Sequence, residues 1–208
     1  MTGSPSPASP APTPAAEALP QAFPVVVLGA SAGAVQALLE LLPALPSDWP
    51  AALLIAVHVP PDRANALVPL LQARCALNIE EAEDKASIAP GGAWFAPSDY
   101  HLLVERDGGL ALSSDEPVRH SRPSIDVLFE TAADAFGPAL TGIVLTGAND
   151  DGSAGLAEIV RAGGQAIVQS PDDAFAAAMP QAAALACPGA RILSLSRIKT
   201  FLMELTTS

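Results

Sequence analysis

After residue 23 the chain alternates short apolar runs with longer segments whose apolar positions recur at helical spacing. PVVVLG (24–29) and AALLIAVHV (51–59) are nearly continuous hydrophobic runs rich in valine, leucine and isoleucine. Such runs suit strands covered on both faces. AVQALLELLPAL (34–45) has helical spacing, a second helix is predicted over 62–74, and LNIEEAE (77–83) reads as a further strand. Then the pattern changes. GGAWFAP (91–97), YHLLVER (100–106) and GLALSS (109–114) are short, close together and separated by turn residues. They read as antiparallel strands or a hairpin. A helix is predicted over 124–136, with Pro123 suited to its first turn. The alternation resumes with a strand at 139–146, a helix at 153–163 stopped by Gly163-Gly164, and a strand at 165–170. A short helix near 179–186, RILSLS (191–196) and a terminal helix complete it.

This order predicts an α/β fold: a doubly wound, mainly parallel sheet with helices on both faces and a short antiparallel hairpin insertion. Residues 1–23, MTGSPSPASPAPTPAAEALPQAF, are dominated by proline, alanine and serine. Proline removes backbone donors and disfavours helix in its predecessor. The stretch is therefore expected to be a disordered tail ahead of a single domain over 24–208.

Composition narrows the function. Half of the 208 residues are apolar and 15% are charged, enough for a full core. Twenty-two acids against ten bases leave a formal net charge of −12. Nucleic-acid binding wants a basic footprint, and an anionic bilayer surface would repel this chain. No apolar run approaches the roughly 18–20 residues that span a bilayer. No basic segment precedes an apolar one at the N-terminus, so neither membrane insertion nor secretion is expected. Cys75 and Cys187 lie in no CxxC or Cys/His cluster, which disfavours zinc and fits free thiols in a reducing cytoplasm.

In open α/β sheets ligands bind beyond the carboxyl ends of the strands. Three polar groups are predicted there: Ser31 in Gly29-Ala30-Ser31-Ala32-Gly33, His58, and the acids of Gly147-Ala148-Asn149-Asp150-Asp151-Gly152. A hydroxyl, an imidazole and a carboxylate are the inventory for acyl transfer. The base removes the proton that makes serine a poor nucleophile, and the acid orients the base. GASAG matches G-x-S-x-G between a predicted strand and helix. The N–H of Ala32 is then a natural oxyanion donor. Each piece also has a plain structural reading, as a small-residue turn, a packed histidine or a helix cap. A dinucleotide loop competes for the first motif, but Ser31 stands where its second glycine belongs, His58 stands where the ribose acid belongs, and no lysine suits a phosphate loop. His101 and His120 are not expected to be catalytic.

LGASAGAVQAL, AVHVPP, APSDYHLLV, RPSIDVLFETAA, VLTGANDDGSAGL and VQSPDDAFAAAMPQAA occur in that order. Together they resemble the successive motifs of the catalytic domain of the chemoreceptor methylesterases, the CheB family, from about Val25 to about Ile198. The resemblance implies a doubly wound α/β enzyme that hydrolyses glutamyl methyl esters on chemoreceptor cytoplasmic helices, with glutamine deamidation in some members. It maps the family's triad onto Ser31, His58 and Asp151, the acid directly preceding Gly152. Ala32 and Ala148 fall at oxyanion positions, and Arg122 and Met179 near the substrate region. Asp126 falls in the same motif as Arg122. No metal or organic cofactor is implied. The order Ser…His…Asp also differs from that of the α/β-hydrolases.

The chain departs from the family in places. Typical members carry TGMGxDG where this one has TGANDDG, so Ala148 replaces a methionine and Asn149 a glycine; asparagine tolerates left-handed backbone, which would let the turn survive. Ala32 stands where threonine is usual, and Ala34 replaces a second glycine. Typical members also have an N-terminal receiver domain, which residues 1–23 are too short to form. The expectation is a stand-alone catalytic domain in the cytoplasm, with a methylated chemoreceptor-like protein as substrate and a separate regulatory receiver protein as a candidate partner. The alternative is a non-catalytic docking module of the same fold in a chemosensory-type pathway.

Overall fold

The computed structural model describes residues 23–58 and 66–205. The tail expected over 1–23 lies outside these residues except for Phe23, which packs against the core. So does 59–65, the end of the second apolar run and the start of the helix predicted over 62–74.

The first apolar run forms β1 (Val25–Ala30) and the second β2 (Ala52–Val57), every residue of both being buried. Helix α1 (Ala34–Leu41) buries Ala34, Ala37, Leu38 and Leu41, the i, i+3, i+4, i+7 stripe its sequence carries. The helix predicted to 45 ends early, because Pro43 follows and a 3₁₀ turn over Leu42–Ala44 replaces its last turn. Then come α2 (Leu67–Gln72), β3 (Asn78–Glu81), β4 (Gly92–Phe95), β5 (His101–Val104) and β6 (Leu110–Ser113). The rest is α3 (Ile125–Phe136), β7 (Leu140–Val144), α4 (Ser153–Arg161), β8 (Gln165–Gln169), α5 (Ala178–Ala186), β9 (Arg191–Leu193) and α6 (Leu195–Met203).

Among the described residues seven strands form one sheet in the order β3-β4-β2-β1-β7-β8-β9, all pairs parallel. Only β5 and β6 pair antiparallel, as the separate hairpin. The antiparallel reading of GGAWFAP is corrected here: β4 lies parallel between β2 and β3. The cause is burial on both faces. Trp94 joins one core cluster while Ala93 and Phe95 join the other. Pro123 also sits outside α3, one residue before its cap Ser124.

The two clusters are the two sides of the sheet. On one side Val25, Val27, Leu54, Trp94 and Val144 meet Ile125, Phe129, Leu156 and Ile159 of α3 and α4. On the other, Val26, Leu28, Leu53, Ile55 and Ile143 meet Leu38, Leu41, Ile198 and Leu202 of α1 and α6. Each such side chain contributes about 1.5–3 kcal/mol when fully buried. Strand order reverses between β1 and β7, so the loops after β1, β2 and β7 open together at one edge of the sheet.

Candidate active site

Ser31 follows β1 directly. Its N–H donates to Thr146 O at 2.9 Å, and the next N–H along the neighbouring strand, of His58, donates to Ala30 O at 3.3 Å. The parallel ladder thus carries Ser31 and His58 out of the sheet side by side. Gly33 turns the chain into α1 at φ +89°, and a Cβ there would lie 2.8 Å from Phe175 Cβ. No side chain caps α1. Among the described residues the N–H groups of Ala32 and Ala148 have no backbone acceptor.

His58 is half-buried, and its Nε2 lies 2.8 Å from Asp151 Oδ2. Asp151 is fully buried. Its Oδ2 also accepts from Ile125 N–H at 2.8 Å. Its Oδ1 accepts from Ser124 Oγ, Asp126 N–H and Gly152 N–H, each at 3.0 Å. Two of these donors are first-turn amides of α3, so the carboxylate sits on a helix N-terminus, where the unpaired N–H groups and the dipole favour an anion. Burial pushes the Asp151 carboxyl up, but the His58 bond and the Ile125 and Asp126 amides outweigh it and hold it below its usual value. An ionised Asp151 makes Nε2 the protonated nitrogen of a neutral His58. The lone pair is then on Nδ1, on the side away from the acid.

The loop that presents Asp151 is braced from both ends. Thr146 N–H donates to the buried Gln169 Oε1 at 2.9 Å, and Thr146 Oγ1 donates to Ala32 O at 2.8 Å, tying the loop to the GASAG turn. Gly152 enters α4 at φ +90°, and a Cβ there would lie 2.6 Å from Ile125 Cγ2, so only glycine lets α3 and α4 meet under the carboxylate. Asn149 does not use left-handed backbone; no residue of 147–151 has a positive φ, and the turn closes at Gly152 instead. The side chain of Asn149 is what matters, with Nδ2 at 3.4 Å from His58 Nδ1.

A second acid lies behind the first. Asp126 is buried and accepts from Gly155 N–H at 2.7 Å. Burial raises its carboxyl, and the Gly155 amide and Arg119 offset only part of that. Arg119, at the tip of the turn closed by Val118 and Ser121, bridges Asp126 at 3.3 Å and Asp150.

The remaining expected site residues are Arg122 and Met179. Arg122 is occupied by Asp99 and by the carbonyls of Ser114 and Asp115, both at 2.8 Å, and braces the loops around the hairpin. Met179 is 1% exposed and packs beneath Gly147, whose O accepts from its N–H at 2.9 Å. His101 is buried, its Nδ1 accepting from Ser124 N–H at 3.1 Å, so it supports the cap that supports Asp151. Ser124, Thr146, Gln169 and Arg119 are absent from the sequence reading of the site. For Ser124 a signal existed, a serine at a helix start; its second bond, to an acid 27 positions away, had none.

The family model of the CheB methylesterases matches residues 26–202. A protein of Leptospira interrogans, provisionally named a protein-glutamate methylesterase/protein-glutamine glutaminase, is 40% identical over 183 residues, 88% of this chain and 95% of that protein. Protein-glutamate methylesterase/protein-glutamine glutaminase 5 of Myxococcus xanthus is 41% identical over 85% of this chain, which spans 53% of its length. The crystal structure of the Thermotoga maritima CheB methylesterase catalytic domain superposes with a TM-score of 0.84 at 27% identity, over 88% of this chain and 99% of that one. With the match extending over most of the sequence and over the sheet that carries Ser31, His58 and Asp151, the chain belongs to the CheB methylesterase family.

Proposed function

We propose that this protein is a carboxylic ester hydrolase acting on glutamyl methyl esters of a chemoreceptor-type protein, with Ser31 as nucleophile, His58 as base and Asp151 as orienting acid. The observation that carries the reading is the 2.8 Å contact between His58 Nε2 and a buried Asp151 carboxylate, beside Ser31 at the strand ends. Ser31 Oγ attacks the ester carbonyl while His58 Nδ1 takes its proton. The oxyanion is met by the N–H groups of Ala32 and Ala148. Collapse expels methoxide, which His58 protonates to methanol. Water, deprotonated by the same nitrogen, then attacks the acyl-Ser31 ester and releases the γ-carboxylate and the serine. A glutamine side chain would follow the same course with ammonia as the leaving group, which accounts for deamidation in relatives so named. The domain over 24–208 carries this chemistry.

Among the described residues no helix is long and apolar enough to cross a membrane. Methylated receptor segments of this kind face the cytoplasm, and we place the enzyme's work there. Methanol release from a methylated receptor, and labelling of Ser31 by a serine-directed phosphonate, test the reading. Ser31→Ala is expected to abolish labelling and to lower turnover by about 10³-fold or more. Folded wild-type protein that neither releases methanol nor labels would instead be the docking module.

A further inference from the structure

We infer that Asn149 caps the base: its side-chain amide holds the Nδ1 lone pair of His58 in the resting enzyme, and Ser31 must displace it to react. The inference rests on the triad reading above. Nε2 is committed to Asp151 at 2.8 Å, so Nδ1 is the nitrogen that has to receive the serine proton. Among the described residues the group in reach of it is Asn149 Nδ2, at 3.4 Å. The amide's orientation is fixed independently, because its Oδ1 lies 3.4 Å from the Asp151 N–H. Turned over, the amide would set an oxygen against the Nδ1 lone pair and an NH₂ against an N–H, two repulsions in place of two hydrogen bonds. Among the described residues the Ser31 hydroxyl donates no hydrogen bond to His58.

The base is therefore paired at both nitrogens before substrate arrives. Asp151 takes the proton of one, and Asn149 covers the lone pair of the other. Asn149 touches the base and not the ester, so it is a positioning residue acting through His58. Both contacts of its amide are long, so a substrate that seats Ser31 against the ring can replace it at modest cost.

The test compares wild type with Asn149→Ala and Asn149→Gly. With ¹⁵N-histidine labelling, the Nδ1 resonance of His58 is expected to move in both variants, away from its hydrogen-bonded position. Phosphonylation of Ser31, and kcat/KM for the methyl ester, are expected to rise about threefold to tenfold, the size of one ordinary neutral hydrogen bond. An unmoved Nδ1 resonance overturns the cap, and so does a Ser31 that reacts no faster in either variant. Wild-type protein inert to the phosphonate would sink the nucleophile assignment instead, and the Nδ1 resonance would then decide the cap alone.

Discussion

Asp151 does more than any other side chain at the site, because five donors converge on its two oxygens. Asp151→Asn keeps the volume but puts an NH₂ where only an acceptor fits. Turnover is expected to fall by about 10³–10⁴-fold through a misoriented base, read as kcat at unchanged substrate concentration range. The same residue sets a pH dependence. Its folded pKa lies below the ordinary value of 3.8, so its stabilisation is complete above 3.8 and is lost as pH falls through the lower, folded value. Asp126 acts in the opposite sense: its raised pKa favours the folded state at low pH and loses that contribution as pH rises through the folded value. Thermal unfolding followed from neutral pH downwards should show the wild type losing stability below pH 3.8 and Asp151→Asn losing less; parallel curves would refute the assignment.

At the scale of the element, the start of α3 is where fold and chemistry share atoms. Ser124 caps the helix by accepting from Val127 N–H and donates its own hydroxyl proton to Asp151. Ser124→Ala removes both bonds, one of them buried. The expected loss is about 1–2 kcal/mol by chemical denaturation, with a fall in kcat smaller than that of Asp151→Asn. Stability lost without any change in kcat would mean that the cap and the acid are independent. The capping serine and the amphipathic stripe of α3 are visible in the sequence. What is not visible is that the free amides of this helix point at a loop from the far side of β7, since no local spacing links them. The same limit explains β4. Four buried residues, GAWF, suit a hairpin strand or a central parallel strand equally well, and only their partners β2 and β3 decide.

The whole molecule is a sheet held from both sides, and a buried indole helps to fasten its last helix. Trp49 Nε1 donates to Leu202 O at 2.8 Å, joining the segment before β2 to α6 across 153 positions. Trp49→Phe leaves that carbonyl only the long bond from Leu205 N–H, at 3.4 Å, and a gap beside it. A loss of about 1–3 kcal/mol is expected from urea unfolding, and an unshifted midpoint would show that the indole bond adds nothing to the hold on α6. The amino-acid order by itself determined the alternation of strands and helices, the parallel sheet and the serine, histidine and acid beyond its strands, because these follow from the period of the apolar residues and from chemistry at strand ends. Only the tertiary structure decided which nitrogen of His58 faces the acid, that α3 holds Asp151 in place, that Arg122 serves the hairpin loops and that Asn149 reaches His58. Those are contacts between residues tens of positions apart, set by how two faces of one sheet pack, and no pattern of neighbours along the chain records them.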